Sequence, residues 1–328
     1  MTKLISRDEV IKLLKMADAI EILEKAFADL SDGKAALPPR TAIQVPGYNG
    51  LALYMPGYIE GTGALGIKIV TVYKENSKKF NLPTIQGTIM LLDEKKGTPL
   101  AIMDAGYLTA IRTGGVSGLA TSLLARKNAK VHSLFGTGGM ARAHAWAIDS
   151  VREIEKLIIF STDPPEAKNS FKDSLKEILK CEIVIADKAE DAAREADIIT
   201  LITTARSPVI RGEWIKPGTH INGAGSHEPE AREIDTETVL RSKIVCDLVE
   251  ACKPEAGDLI IPVNENKWSW DKVHASLGDI ITKKKEGRST DEEITLFKTV
   301  GIAIQDVSVA LHVFNKAVEM KVGTDYAF

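Results

Sequence analysis

Residues 130–148 read KVHSLFGTGGMARAHAWAI, in which an apolar run ending at Phe135 meets a glycine turn and then an alanine-rich segment. Strand, glycine turn and helix in this order are the setting of the dinucleotide-binding fingerprint G-x-G-x-x-A. Gly136 permits the tight turn, Gly138 lets the backbone approach a pyrophosphate, and Ala141 lets the helix pack close to the strand. The free N–H groups at the helix N-terminus would then bind the phosphates.

The region after this stretch alternates between short apolar runs and helical segments, which favours a parallel, doubly wound α/β sheet of the Rossmann type over an isolated structural turn. The further predicted strands lie at residues 156–160, 181–186, 197–204, 220–226 and 243–247.

Composition excludes several classes of protein. The chain has 328 residues, 44% apolar and 27% charged, with a formal net charge of -3 and no arginine-rich face that would predict nucleic-acid binding. No apolar run reaches membrane-spanning length, and residues 1–10 lack the apolar core of a signal peptide. Three irregularly spaced cysteines predict neither a disulfide framework nor a metal site. We therefore expect a protein of the reducing cytoplasm that binds no nucleic acid, membrane or metal.

The two chain ends are expected to form a second, α+β domain. Ser6 begins a helical pattern that continues to about Gly33, and strands are predicted at residues 40–45, 51–55, 64–72, 83–92 and 99–103. From residue 291 a helix is predicted to continue to about Met320. The predicted domains are residues 1–124 plus 295–328, built from both chain ends, and residues 125–294 for the nucleotide.

Two basic residues in apolar surroundings are candidates for anion binding. Lys68 lies among β-branched residues, where burial is costly unless an anion meets it; an outward-facing position on an edge strand is the alternative. Arg112 is the one charged residue of a small-residue helix at residues 107–124, and either an interior anion or solvent is compatible with this pattern.

The carboxyl ends of the predicted parallel strands indicate where a cofactor lies. An acid after the second strand hydrogen-bonds the ribose of NAD, and Asp163 stands near that place, whereas Ser161 and Thr162 could accommodate the 2′-phosphate of NADP. Cofactor preference therefore stays open. Small and hydroxyl residues end the fourth and fifth strands at the same edge, namely Thr203, Thr204, Gly225 and Ser226.

The chain resembles the ornithine cyclodeaminase/mu-crystallin family from end to end. The segments that carry the resemblance are LPPRTAIQV, GIKIVTVY, LPTIQG, TAIRTGGVSGLAT, LFGTGGMA, INGAGSHEPEAREID, EAGDL and EITLFKTVGIAIQD. The resemblance implies a homodimer whose first domain, built from both chain ends, binds a small amino or imino acid. It also implies enzymes that act on such acids with NAD or NADP.

The resemblance also implies site residues. Arg40, Lys68 and Arg112 fall on the substrate-binding cations, and Lys68, with a depressed pKa, would exchange a proton with an imine nitrogen. Met55 and Glu255 are further candidates for the substrate site. The candidates for cofactor contact are Thr84, Arg112, Thr113, Gly136, Thr137, Gly138, Gly139, Met140, Ala141, Thr162, Asp163, Thr203, Thr204, Gly225, Ser226 and Lys298.

One position departs from the cyclodeaminases, in which an aspartate follows the glycines of the fifth strand. Here that position is His227, which can exchange protons at neutral pH but offers no anion to an ammonium group; a solvent-facing loop histidine is the alternative. The sequence therefore favours an NAD(P)-dependent ketimine or Δ1-pyrroline-2-carboxylate reductase, or an alanine-dehydrogenase-like enzyme, with His227 and Lys68 catalytic. The alternatives are an ornithine cyclodeaminase, which recycles NAD, and a non-catalytic binding protein of the mu-crystallin type.

Overall fold

The protein, in a computed structural model, is described over residues 1–327 and forms two compact units. The first unit comprises Met1–Arg112 and the chain from Ile302 onward, and the second comprises Thr113–Gly301. The sequence-based bounds assign residues 113–124 and 295–301 to the first domain, whereas the structure groups both segments with the second unit.

Strands and helices alternate along most of the described chain. The strands are β1 (Thr2–Ile5), β2 (Ala35–Ala36), β3 (Thr41–Val45), β4 (Gly50–Ile59), β5 (Ala64–Tyr73), β6 (Ile85–Leu92), β7 (Pro99–Asp104), β8 (Val131–Phe135), β9 (Lys156–Phe160), β10 (Glu182–Ile185), β11 (Ile198–Leu201), β12 (His220–Gly223), β13 (Ser242–Cys246), β14 (Ala275–Ser276), β15 (Ile294–Lys298) and β16 (Thr324–Tyr326). The helices are α1 (Arg7–Leu13), α2 (Met16–Ser31), α3 (Asn76–Lys79), α4 (Gly106–Leu124), α5 (Ala141–Val151), α6 (Pro165–Leu175), α7 (Ala189–Glu195), α8 (Thr236–Arg241), α9 (Val249–Glu255), α10 (Gly257–Asn264), α11 (Leu277–Ile281) and α12 (Ala303–Glu319).

The first unit is a mixed sheet with helix α12 on one face. The strand order is β16-β1-β7-β6-β5-β4-β2, with β3 paired to β4, and β1–β7 is the one parallel pair among the described strands of this sheet. Leu53, Met55 and Val70 project from one face of β4 and β5 and pack against Ala303 at the start of α12. Alternate residues of a strand point to opposite faces, so this inner face also includes Lys68.

The second unit is an open sheet in which all the described pairs are parallel. The order is β10-β9-β8-β11-β12-β15-β13-β14. The strands β8, β9 and β10 therefore follow one another toward one edge of the sheet, and the strands from β11 onward lie on the other side of β8. Both faces carry helices, and the central strands are correspondingly apolar and buried. The carboxyl ends of β8 and β11 meet where the strand order reverses, which is the position of ligand binding in open α/β sheets. The predicted fold class is confirmed.

The helix predicted to start at residue 291 is wrong over its first part. Residues 294–298 form strand β15, which lies between β12 and β13 and is buried throughout. A short apolar run buried on both sides fits a central parallel strand as well as it fits a helix, and local periodicity does not separate the two. Gly301, with φ of 78°, then interrupts the chain before α12 begins at Ala303. This strand explains why residues 295–301 belong to the second unit.

Small residues of α4 allow close contact with α5 within the second unit. A Cβ atom added at Gly114 would lie 2.5 Å from the carbonyl oxygen of Ala143, and one added at Gly118 would lie 3.0 Å from that of Ala147. The two helix backbones therefore approach more closely than any larger side chain permits. This packing accounts for the small-residue pattern and places residues 113–124 in the second unit.

No helix in the described part of the chain is long and apolar enough to cross a membrane. The cytoplasmic location stays a prediction.

Candidate functional site

The glycine turn between β8 and α5 has the geometry that its sequence predicts. Gly136 has φ of 103°, and a Cβ atom there would lie 2.6 Å from the carbonyl oxygen of Ile202, so both conformation and space require glycine. Around Gly138 and Gly139, in contrast, an added Cβ atom would meet no atom within 4 Å. Protein packing therefore does not explain these two glycines, whereas a pyrophosphate seated against the backbone at the start of α5 does. The residues present fit a dinucleotide.

A carboxylate stands at the end of β9, the neighbour of β8. Asp163 accepts hydrogen bonds from the hydroxyl groups of Ser161, at 2.6 Å, and Thr137, which follows the first glycine of the turn. These two hydrogen bonds hold the pKa of Asp163 below its ordinary value, so the group is an anion at neutral pH. Met140 precedes α5, Ala141 is its first, buried residue, and Thr162 is exposed beside Asp163.

The segments that follow β11 and β12 are joined by a carboxylate that sequence reasoning missed. Glu233 is fully buried and accepts hydrogen bonds from the backbone N–H and hydroxyl of Thr203, at 2.7 and 2.8 Å. Its other oxygen accepts from the backbone N–H groups of Gly225 and Ser226, at 2.8 and 3.0 Å. Thr204 is exposed next to Thr203. The backbone N–H groups of Gly225 and Ser226 are thus used within the protein.

Lys298, a predicted cofactor contact, is fully buried at the end of β15. Its Nζ donates to the carbonyl oxygen of Ser226 and to Asp258, both at 2.6 Å. Asp258, also missed from the sequence, in turn accepts from the backbone N–H groups of Glu233 and Ile234. Lys298 therefore holds the segment after β12, and its contact with a cofactor stays a prediction.

In the first unit a second buried cluster forms around Asp306 of α12. Lys68 lies in the middle of β5, across from Met55 of β4 and Ile89 of β6, and its side chain is only 1% exposed. The Lys68 Nζ lies 2.8 Å from each carboxylate oxygen of Asp306. Of the two positions predicted for Lys68, buried beside an anion or facing outward from an edge strand, the fold adopts the buried one.

Arg112 binds the same helix. Its Nε lies 2.9 Å from Asp306 Oδ1, and Nη1 donates to the side-chain oxygen of Gln305. Because a guanidinium can only donate, this bond fixes the amide of Gln305 with its NH2 group pointing elsewhere. That nitrogen is buried and has no hydrogen-bond partner among the described residues. Gln305 and Asp306 were not predicted from the sequence, since only α12 brings them to β5 and α4.

Electrostatics in this cluster make Lys68 a titratable group near neutral pH. Burial, followed by the positive charges of Arg112 and Arg40, lowers the pKa of Lys68 to about 7, although Asp306 acts in the opposite direction. Arg40, half-buried before β3, thereby belongs to the same cluster. Lys68 and Arg112 share one carboxylate and Arg40 adds a third positive charge to the cluster, so the cluster favours an additional anion.

The remaining predicted residues occupy different environments. His227 is exposed, with Nδ1 3.2 Å from the carbonyl oxygen of Gly225. Met55 packs in the core on the face that carries Lys68. Thr84 is half-buried before β6 and its carbonyl oxygen accepts from Tyr73. Two others are half-buried in the second unit, namely Thr113 in α4 and Glu255 at the end of α9. The first unit brings together Arg40, Lys68 and Arg112, and the roles of all these residues stay predictions.

The chain is similar to known proteins over nearly all of its length. The model of the ornithine cyclodeaminase/mu-crystallin family matches residues 1–321. A Δ1-pyrroline-2-carboxylate reductase of Bacillus cereus is 40% identical, over 99% of each chain. The solved Δ1-pyrroline-2-carboxylate reductase of Thermococcus litoralis, in complex with NADH and L-proline, is 43% identical with a TM-score of 0.95, covering 99% of this chain and all of that one.

An archaeal alanine dehydrogenase dimer with bound NAD is 34% identical, with a TM-score of 0.93 over 100% of this chain and 99% of that one. These relatives confirm the predicted nicotinamide cofactor and the predicted class of enzyme, an NAD(P)-dependent oxidoreductase acting on the C=N or CH–NH2 group of a small α-imino or α-amino acid. The chain belongs to the ornithine cyclodeaminase/mu-crystallin family.

Proposed function

We propose that the protein reduces a cyclic α-imino acid, Δ1-pyrroline-2-carboxylate, to L-proline with NADH. The observation that carries the proposal is the buried cluster in which Lys68 and Arg112 both contact the carboxylate of Asp306, with the positive charge of Arg40 acting on Lys68. Such a cluster suits a substrate that brings one carboxylate and one basic nitrogen. The relative with NADH and L-proline bound, 43% identical over the whole chain, supports the same substrate.

The substrate carboxylate is bound by groups of the first unit. Arg112 and Arg40 offer guanidinium donors, which match a carboxylate in charge and geometry. Gln305 adds a buried NH2 group with no partner among the described residues, and a carboxylate oxygen would satisfy it. We assign substrate binding to the first unit and nucleotide binding to the second.

Lys68 moves the proton. When bound, NADH supplies a hydride to the imine carbon. Lys68, in its ammonium form, donates a proton from Nζ to the imine nitrogen, so that one C–H and one N–H bond form as the C=N bond becomes single. A pKa near 7 allows the amine to be reprotonated from water between turnovers.

One assay distinguishes the proposed function from two alternatives, an ornithine cyclodeaminase and a non-catalytic binding protein. The position of the cyclodeaminase aspartate is His227 here, which argues against release of ammonia from ornithine. We would incubate the protein with Δ1-pyrroline-2-carboxylate, with pyruvate plus ammonia, and with ornithine, and follow NADH and product together. One NADH consumed per L-proline formed supports the proposal. Ammonia release from ornithine without net NADH change, or NADH binding with no turnover of any substrate, would refute it.

Replacing Lys68 by Met should lower kcat by about a hundredfold or more, the usual contribution of a positioned proton donor. NADH affinity, which depends on the second unit, should be unchanged. Steady-state kinetics and a fluorescence titration with NADH measure the two quantities. The matched control is Lys74→Met, at an exposed lysine just beyond β5, which should keep full activity. Equal activity of Lys68→Met and wild type would remove Lys68 from the mechanism.

The direction of the reaction should set the sign of the pH dependence. Imine reduction needs Lys68 protonated, so kcat should fall as pH rises through about 7, the folded pKa of Lys68. Oxidation of L-proline needs the neutral amine, so its kcat should rise over the same range and then level off. Rates at saturating substrates from pH 5 to about 9 test this. If kcat changed with pH in the same way for imine reduction and for L-proline oxidation, the role assigned to Lys68 would be contradicted.

We further propose that NADH is preferred over NADPH, because the Asp163 anion would repel a 2′-phosphate. The variant Asp163→Ser should shift the ratio of kcat/KM values toward NADPH by about tenfold or more, since a hydrogen bond to a charged group contributes about 1.5–3 kcal/mol. Asp173→Ser, at an acid of α6 that pairs only with nearby Lys176, is the control. An unchanged ratio would show that Asp163 does not select the cofactor.

We also propose a homodimer formed through the outer face of the first sheet. Ile43 and Ile69 are 49% and 38% exposed and project from the face opposite α12. The solved archaeal relative is described as a dimer. Ile69→Lys should convert a species of twice the chain mass into one of single mass in light scattering, whereas Ile11→Lys, at an exposed residue of α1, should not. A wild-type monomer would refute the proposal.

A further inference from the structure

The segment after β12 carries His227 and is tied down by a buried charged group that the proposed reaction does not use. We define this group, the loop anchor, as Glu233, Asp258 and Lys298, all three fully buried in the second unit. Unpaired charges are not tolerated in such a place, and here every charge has partners. The burial of these three charged side chains next to one another therefore needs an explanation.

Glu233 is the member that touches the segment directly. Its two carboxylate oxygens accept four hydrogen bonds, two from Thr203 after β11 and two from the backbone of Gly225 and Ser226 after β12. One side chain thus fixes the ends of two neighbouring strands relative to each other. These are the ends at which a nicotinamide ring lies in an open parallel sheet.

The rest of the anchor holds Glu233 in place. Asp258 accepts from the backbone N–H groups of Glu233 and Ile234, at 2.7 and 3.0 Å. Lys298 bonds Asp258 and the carbonyl oxygen of Ser226, so it closes a ring that returns to the same segment. Ser226 is bound further through its hydroxyl, which donates to the carbonyl oxygen of Ala231 at 2.5 Å.

The fit leaves almost no freedom at Gly225. A Cβ atom there would lie 2.4 Å from Glu233 Oε1 and 2.5 Å from the carbonyl oxygen of Thr203. Glycine is therefore required by the anchor itself and not by a ligand. An arrangement of this kind, with donors saturated and backbone in close contact, holds a segment in one conformation.

We propose that Glu233 is a positioning residue of the reaction: by fixing the backbone of Thr203, Gly225 and Ser226, it sets the place of His227 and of the strand ends against the reacting ring. This inference rests on the proposed function. It separates two effects, because Glu233 lies in the nucleotide-binding unit, whereas the proposed substrate cluster belongs to the first unit. Its loss should therefore act on kcat and leave the KM for the imino acid unchanged.

The variant Glu233→Gln keeps the size of the side chain but turns an NH2 group toward backbone N–H donors. We expect kcat to fall by about ten- to a hundredfold, the effect of a small misplacement of reacting groups. The KM for Δ1-pyrroline-2-carboxylate should stay close to wild type, whereas the unfolding temperature should fall, because buried N–H donors lose an acceptor. The matched control, Glu237→Gln, removes an exposed carboxylate one turn further along and should retain full kcat.

A second variant, Thr203→Val, removes the hydroxyl that donates to Glu233 and accepts from the backbone N–H of Ala205, and kcat should fall by about threefold. This variant tests the positioning role of Glu233 if Glu233→Gln does not fold. Unchanged kcat in a folded Glu233→Gln, or in Thr203→Val where the first variant fails to fold, would overturn the positioning role. So would equal losses in kcat and in affinity for the imino acid. Wild-type turnover is measured in the same assay: its absence refutes the proposed function, whereas wild-type turnover with fully active variants refutes only the role of Glu233.

Discussion

The buried carboxylate of Asp306 makes the interaction on which the proposed substrate-binding chemistry depends. It lies within 3 Å of both Lys68 and Arg112, and all three side chains are buried. Removing one partner of a buried ion pair costs about 3–5 kcal/mol, because the remaining charge is left without compensation. Asp306 therefore makes it possible to keep two cations inside a sheet-and-helix core. It compensates them only in part, and the surplus of positive charge is available to a substrate carboxylate.

The balance between burial and this one anion also gives Lys68 its chemistry. A lysine with a full complement of anionic partners stays protonated, and a lysine buried alone loses its proton. Lys68 lies between these limits, since burial, Arg112 and Arg40 lower its pKa and Asp306 raises it. The result, a pKa of about 7, is the range in which a group can give and take a proton at neutral pH. The contact with Asp306 thus gives Lys68 both its structural role and its chemical role.

The nucleotide-binding unit solves a different physical problem, that of holding loops at the edge of a sheet. Its strand ends are joined by buried carboxylates, Glu233 and Asp258, whose acceptors satisfy backbone N–H groups that no strand partner reaches. Where the turn must instead receive phosphate, the glycines at 138 and 139 leave their surroundings open. The same unit therefore contains glycines required by protein packing, at 136 and 225, and glycines explained by a ligand.

Much of the molecule was determined by local sequence. The strand-turn-helix around Gly136, the alternation that follows it, and the order of motifs depend on neighbours in the chain, so they predicted the fold class, the nicotinamide cofactor and the family. Lys68 and Arg112 were singled out because basic residues in apolar runs are conspicuous, and Arg40 was singled out by the family resemblance. Tertiary structure alone decided that Lys68 is buried, that Asp306 is its neighbour and Gln305 is bound by Arg112, that residues 294–298 form a central strand, and that Glu233, Asp258 and Lys298 are buried together. The reason is physical: an acidic residue in a polar segment looks the same whether it faces water or a buried donor, and only packing between distant elements distinguishes the two.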